Sequence, residues 1–85
     1  MEIFLTKHAR IRLVERGILA EEIPTMFAKG VRFEDAENKN LCVYRKSAHE
    51  FVTLVYARRK ENVVLITAYP SKNWEVREFK ERCRK

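Results

Sequence analysis

The 85-residue sequence predicts an α+β domain: two N-terminal helices packed on a three- or four-stranded antiparallel meander, with a C-terminal helix after it. Three observations carry this. Charged and apolar residues recur at helical spacing up to Lys29, the period changes to extended runs from Val31, and helical spacing returns after Pro70. The length accommodates one small domain, spanning residues 1–85, and no linker, repeat or low-complexity stretch divides it.

Thr6 suits the N-cap of a first helix that runs to about Arg16, and Gly17 suits its stop. A short second helix is expected from Ala20 to about Lys29. Pro24 falls in its opening turns, where a missing N–H is best tolerated, and Gly30 ends it. Val31-Arg32-Phe33 begins an extended run, and Asn38-Lys39-Asn40 reads as a polar turn. Leu41–Lys46, Phe51–Arg58 and Val63–Tyr69 follow as β-branched and aromatic strands, joined by turns short enough to make neighbours antiparallel. Val63-Val64-Leu65-Ile66 is apolar on both faces, as an interior strand requires. From about Lys72 to Arg84, Val76, Phe79 and Cys83 recur at helical spacing. The helices are expected on one side of the sheet.

Eighteen Lys and Arg against twelve Asp and Glu give a net charge of +6, which favours polyanionic partners, nucleic acid before a membrane surface. The basic excess concentrates at Arg45-Lys46, Arg58–Lys60 and Arg77–Lys85; Lys80, Arg82, Arg84 and Lys85 make a basic tail. The longest uncharged stretch starts at Asn62 and stops before Lys72, too short to span a bilayer, so an intracellular, cytoplasmic protein with no membrane partner is expected. Cys42 and Cys83 have no partner spacing of a zinc site; they are expected to be reduced, semi-buried core residues, with no metal and no cofactor.

The first helix carries the chemistry. His8, Arg12 and Arg16 are four residues apart, so they share one stripe, and Glu15 lies beside His8 on the same face. Arginines pair bidentately with phosphate oxygens and stabilise growing charge, while histidine exchanges a proton near neutrality. Flanked by Ile11, Ala9 and Leu13, the stripe is expected at a groove edge. A charged helix surface with pairing to Glu15 is the structural alternative. Later, Thr67 and Tyr69 alternate on the last strand and Tyr56 sits on the preceding one, where tyrosine stacks a base, donates a proton or simply packs. Arg45, Tyr56, Thr67, Lys72 and Trp74 are the candidate RNA-binding residues; His8, Arg12, Arg16 and Tyr69 are the candidate catalytic ones. His49 falls in a turn without a visible partner.

With His8-Ala9, Arg12, Arg16-Gly17-Ile18 and Val64-Leu65-Ile66-Thr67-Ala68-Tyr69 in view, the chain resembles a small domain-of-unknown-function family, the 4258 type, with the signature H-A-x-x-R-x-x-x-R-G-I. That family is similar to the RelE, barnase and colicin-type ribonuclease superfamily. The resemblance implies a RelE-like fold, RNA as substrate, an antitoxin protein as partner, and metal-independent cleavage through the 2'-OH. His8, Arg12 and Arg16 carry over from the motif; Arg45, Tyr56, Thr67 and Tyr69 are added from strand geometry. A non-catalytic module that binds RNA or protein through the same arginines is the alternative, and oligomeric state stays open.

Overall fold

A computed structural model describes residues 2–83. The chain forms strand β1 (Ile3–Leu5), helix α1 (Lys7–Glu15), a 3-10 turn (Ala20–Glu22), helix α2 (Ile23–Lys29), strands β2 (Val31–Glu34), β3 (Asn40–Arg45), β4 (Phe51–Arg59) and β5 (Asn62–Pro70), and helix α3 (Asn73–Cys83). One five-stranded sheet has the order β1-β5-β4-β3-β2. Three of its pairings are the expected antiparallel ones; β1 runs parallel to β5, with Ile3 opposite Val63 and Leu5 opposite Leu65. The sheet is therefore mixed, and β1 is an addition to the predicted three or four strands. Arg84 and Lys85 of the predicted basic tail lie outside the described residues.

Both ends of α1 follow from its sequence. Thr6 Oγ1 accepts from the Ala9 amide at 3.0 Å. At the other end Gly17 takes φ +67°, its amide donates to the Val14 carbonyl, and the Ile18 amide reaches the Leu13 carbonyl at 2.9 Å. That is a Schellman closure, completed by burial of Leu13 and Ile18 in one cluster. Gly30 is required for a different reason: a Cβ there would lie 2.6 Å from both the Met26 carbonyl oxygen and Cys42 Sγ.

Alternation along the strands builds two cores. Cys42, Val52, Leu54 and Tyr56 face α1 and α2, packing with Ala9, Leu13, Ile23, Met26 and Phe27. Phe33, Leu41 and Val43 face the other way, with Phe51, Val55 and Phe79 of α3. The helices thus cover opposite faces, which corrects the expectation that all lie on one side. The physical reason is visible in Leu41-Cys42-Val43, three consecutive buried residues that need cover above and below.

A bulge in β5 changes which face its side chains take. Val55 pairs with Thr67 but Tyr56 pairs with Leu65, so Ile66 is the extra residue. Val63 and Leu65 join the α1 core, and after the bulge it is Ala68 that does so. Thr67 and Tyr69 therefore face α3. Thr6 Oγ1 donates to the Ile66 carbonyl at 3.1 Å, tying the α1 cap to the bulge.

Of the two thiols, Cys42 is buried and its Sγ donates to the Met26 carbonyl at 3.6 Å; burial pushes it up to about 11. Cys83 is exposed, against the expectation of a core position. In α3 the fully buried residue is a carboxylate, Glu75, while Val76 and Phe79 are only half-buried.

Candidate nucleic-acid interface

The stripe on α1 forms, but its members are engaged differently. Arg12 donates from Nε to His8 Nε2 at 3.4 Å and forms an ion pair with Glu15 at 2.8 Å. Accepting at Nε2 requires the neutral imidazole with its proton on Nδ1. Both Arg12 and Glu15 are well exposed, so the pair contributes little to stability. Arg16 lies one turn further, at the exposed end of the helix, and turns into a cleft.

That cleft, about 620 Å³, wraps the end of the sheet where the two helical layers meet. Arg16 enters from α1, Lys46 and His49 from the β3–β4 hairpin, and Arg77 and Lys80 from α3. Glu50 is the single acid among its lining residues. The hairpin is fixed by backbone bonds between Lys46 and Glu50 and between Ser47 and Glu50. Arg45 braces it further, donating from Nε to the Ser47 carbonyl at 3.3 Å and from a terminal nitrogen to Ala48 at 3.4 Å, with its guanidinium over the Phe51 ring. Arg45 therefore shapes the cleft rather than reaching into it.

On the α3 face a second groove, about 520 Å³, gathers Thr67, Tyr69, Lys72 and Trp74. Four of the residues predicted for RNA contact or catalysis thus do meet, but on the side of the sheet opposite α1. Tyr56 also borders this groove, yet its ring turns the other way: it is 5% exposed and packs edge-on against Phe27 at 4.8 Å. Burial raises its phenol. A base cannot stack on that ring without unpacking α2.

Tyr69 is likewise committed. Its hydroxyl donates to Glu75 Oε2 at 2.6 Å, and burial, followed by that bond and the carboxylate charge, pushes the phenol well above its ordinary range. Glu75 also accepts from Thr53 Oγ1 at 3.0 Å and from the Lys72 amide at 2.7 Å, while Thr53 and Ser71 share a hydrogen bond of 2.7 Å. The Lys72 contact is the returning half of a capping box at the start of α3. Every oxygen of this buried carboxylate is answered, which is the condition for keeping it in a core.

Sequence reasoning missed Lys46, His49, Arg77 and Lys80 as one site with Arg16, since two further segments, the β3–β4 hairpin and α3, deliver them. Their sequence signals are the basic clusters Arg45-Lys46 and Arg77–Lys85 and the spacing of Arg77 and Lys80 on one helix face, none of which brings the segments together. Glu75 has a local signal, its place three residues after the residue preceding the helix.

The chain belongs to the family described as Domain of unknown function (DUF4258), which matches residues 5–70. No curated protein and no solved structure matches it. The matched span takes in the α1 stripe, the hairpin and Tyr69; α3, with Glu75, Arg77 and Lys80, lies beyond it. No helix among the described residues is long and apolar enough to cross a membrane.

Proposed function

We propose that the protein binds RNA, holding the phosphate backbone in the basic cleft at the end of the sheet. The carrying observation is the convergence of Arg16, Lys46, Arg77 and Lys80, with His49, on one concavity that contains a single acid. Cations brought from three elements to one cleft concentrate positive potential and release counterions when phosphate enters. The choice of RNA over DNA is supported by the similarity of the 4258-type family, whose motif α1 carries, to the RelE, barnase and colicin-type ribonuclease superfamily. Anisotropy of a labelled RNA strand tests this: binding should weaken steeply with salt, and Arg16→Ala with Lys80→Ala should reduce it at least tenfold. Salt-independent binding, or none, sinks the proposal; equal affinity for matched single-stranded DNA would restrict it to nucleic acid in general.

A second reading, metal-independent endoribonuclease of the toxin type, rests on the geometry at His8. Its Nε2 accepts from Arg12 Nε and would act as base once Arg12 turns to the phosphate, with Arg12 and Arg16 one and two turns along the same stripe. His8 would take the proton from the RNA 2'-OH as its oxygen attacks phosphorus; the P–O5' bond breaks and the leaving 5'-oxygen takes a proton from water, giving a 2',3'-cyclic phosphate and a 5'-hydroxyl, and the resulting hydroxide takes the proton from His8, restoring the imidazole. Arg12 and Arg16 would hold the charge that grows on the phosphoryl oxygens. Tyr69 takes no part, being bound to Glu75 across the sheet. An antitoxin protein would then be the partner, and exposed Ile11 and Val14 on α1 offer it apolar surface. Cyclic-phosphate products lost in H8A, with RNA affinity retained, would establish the reading. Intact RNA at all protein concentrations would leave only the binding function.

A further inference from the structure

We propose that the groove on the α3 face takes one unstacked nucleobase of the strand whose phosphates occupy the basic cleft, with Trp74 as its stacking surface; the inference rests on the RNA reading. The two concavities share a wall. Along Tyr69–Trp74 the chain alternates between them: Pro70, Ser71 and Asn73 line the cleft, whereas Tyr69, Lys72 and Trp74 line the groove. A strand seated in the cleft thus has the groove immediately across one turn of backbone.

The groove has the makings of a base site. Trp74 is 39% exposed, and its ring is fixed edge-on against Phe33 at 6.2 Å, so it is presented without a large loss of side-chain freedom on binding. Lys72 holds its ammonium over the Tyr69 ring at 5.5 Å. Asn38 and Asn40 border the groove, and among the described residues neither side-chain amide makes a hydrogen bond. An amide offers both donor and acceptor to a base edge. The loop that carries them is already ordered, since Asp35 Oδ1 accepts from the Glu37 and Lys39 amides at 2.8 Å each and Asn38 adopts φ 64°. Charge separates the two sites: in the groove Asp35 and Glu37 are matched by Lys39 and Lys72, so it carries no basic excess, while the cleft across the wall sets four cations against Glu50. A neutral aromatic base suits the former, its phosphate the latter.

Trp74 is the only tryptophan of the chain, so its fluorescence reports the groove directly. The full chain is titrated with a short oligoribonucleotide and with an abasic ribose-phosphate strand of equal length, at one salt concentration. The base-bearing strand should bind about tenfold more tightly and quench Trp74, as one stacked base implies, whereas the abasic strand should bind without quenching. Trp74→Leu, checked for folding by circular dichroism, should lower the affinity for the base-bearing strand to that of the abasic one and leave the latter unchanged. Equal affinities with no quenching would overturn the base site while leaving the RNA reading intact, as would a Trp74→Leu chain that still prefers the base-bearing strand. Failure of both strands to bind would remove the RNA reading and this inference with it.

Discussion

The Tyr69 hydroxyl lies 2.6 Å from Glu75 Oε2, a charge-assisted bond that joins the last strand to the helix beyond it. Because Thr53 and the Lys72 amide converge on the same carboxylate, α3 is attached to the sheet by a polar plug as well as by Phe79. That arrangement fixes the wall between the basic cleft and the neighbouring groove.

Removing the plug should be costly. Glu75→Ala leaves the Thr53 hydroxyl, the Tyr69 phenol and the Lys72 amide to find new partners in a buried site, and a loss of about 3 kcal/mol is expected from urea denaturation. Glu75→Gln keeps one accepting oxygen and should cost roughly half as much. A loss below experimental error in both would show that α3 docks without the carboxylate.

Alkali should weaken the fold through the same residue. The ordinary phenol value is 10.0, and burial with the Glu75 contact raises it in the folded chain. Above pH 10 the unfolded chain therefore releases a proton that the folded chain retains, so the contribution of Tyr69 is full below that pH and declines as pH rises. Tyr69→Phe should show a shallower decline over that range, read from thermal unfolding at a series of pH values. Tyr56 and Cys42 are raised as well and account for a remaining slope in the variant.

Gly30→Ala should destabilise by about 1–3 kcal/mol, the usual cost of overpacking. The added methyl meets the Met26 and Val43 carbonyl oxygens at 2.6 and 2.9 Å, and neither backbone can yield without moving α2 or β3. Gly17→Ala meets nothing nearby, and its cost of about 1 kcal/mol comes instead from the positive φ. Chemical denaturation of the two variants distinguishes these causes, because only Gly30→Ala should be partly relieved by Cys42→Ala.

Salt dependence of RNA binding counts the phosphate contacts. Arg16→Ala and Lys80→Ala should each reduce the slope of log affinity against log salt by about one, whereas Arg58→Ala, outside the cleft, should leave it unchanged. Equal slopes in all three would place the contacts elsewhere.

Much of the fold was legible because its signals are local. Thr6 and Gly17 bracket α1, Gly30 stops α2, and the two hairpins follow from short polar turns between β-branched runs. β1 was not, since three residues without a turn signal pair with a strand sixty positions later, a contact that no periodicity encodes. The cover on both faces was partly written in Leu41-Cys42-Val43. For the site, the α1 stripe was readable as geometry, and Arg16 does enter a basic cleft. Its cationic partners were not readable, because the hairpin and α3 come together only in three dimensions. Tyr69 is grouped by sequence with His8, Arg12 and Arg16, but the extra residue Ile66, which no periodicity signals, turns it toward α3.

Ile66 makes β5 a strand with two reading frames. Before it the odd-numbered Val63 and Leu65 face the helix that carries His8, Arg12 and Arg16; after it the even-numbered Ala68 does, and Thr67 and Tyr69 face the helix that carries Trp74 and Lys80. Deleting this one residue would leave Thr67 opposite Val55 in a regular ladder, with Ala68 still toward the α1 core and Tyr69 still toward Glu75; pairing the full-length strand without the bulge would instead bring a phenol into the α1 core and leave Glu75 facing a methyl. The looped-out backbone thus lets Leu65 and Tyr69, residues of one parity, serve opposite faces, a division held by the bulge and not by the alternation of the sequence.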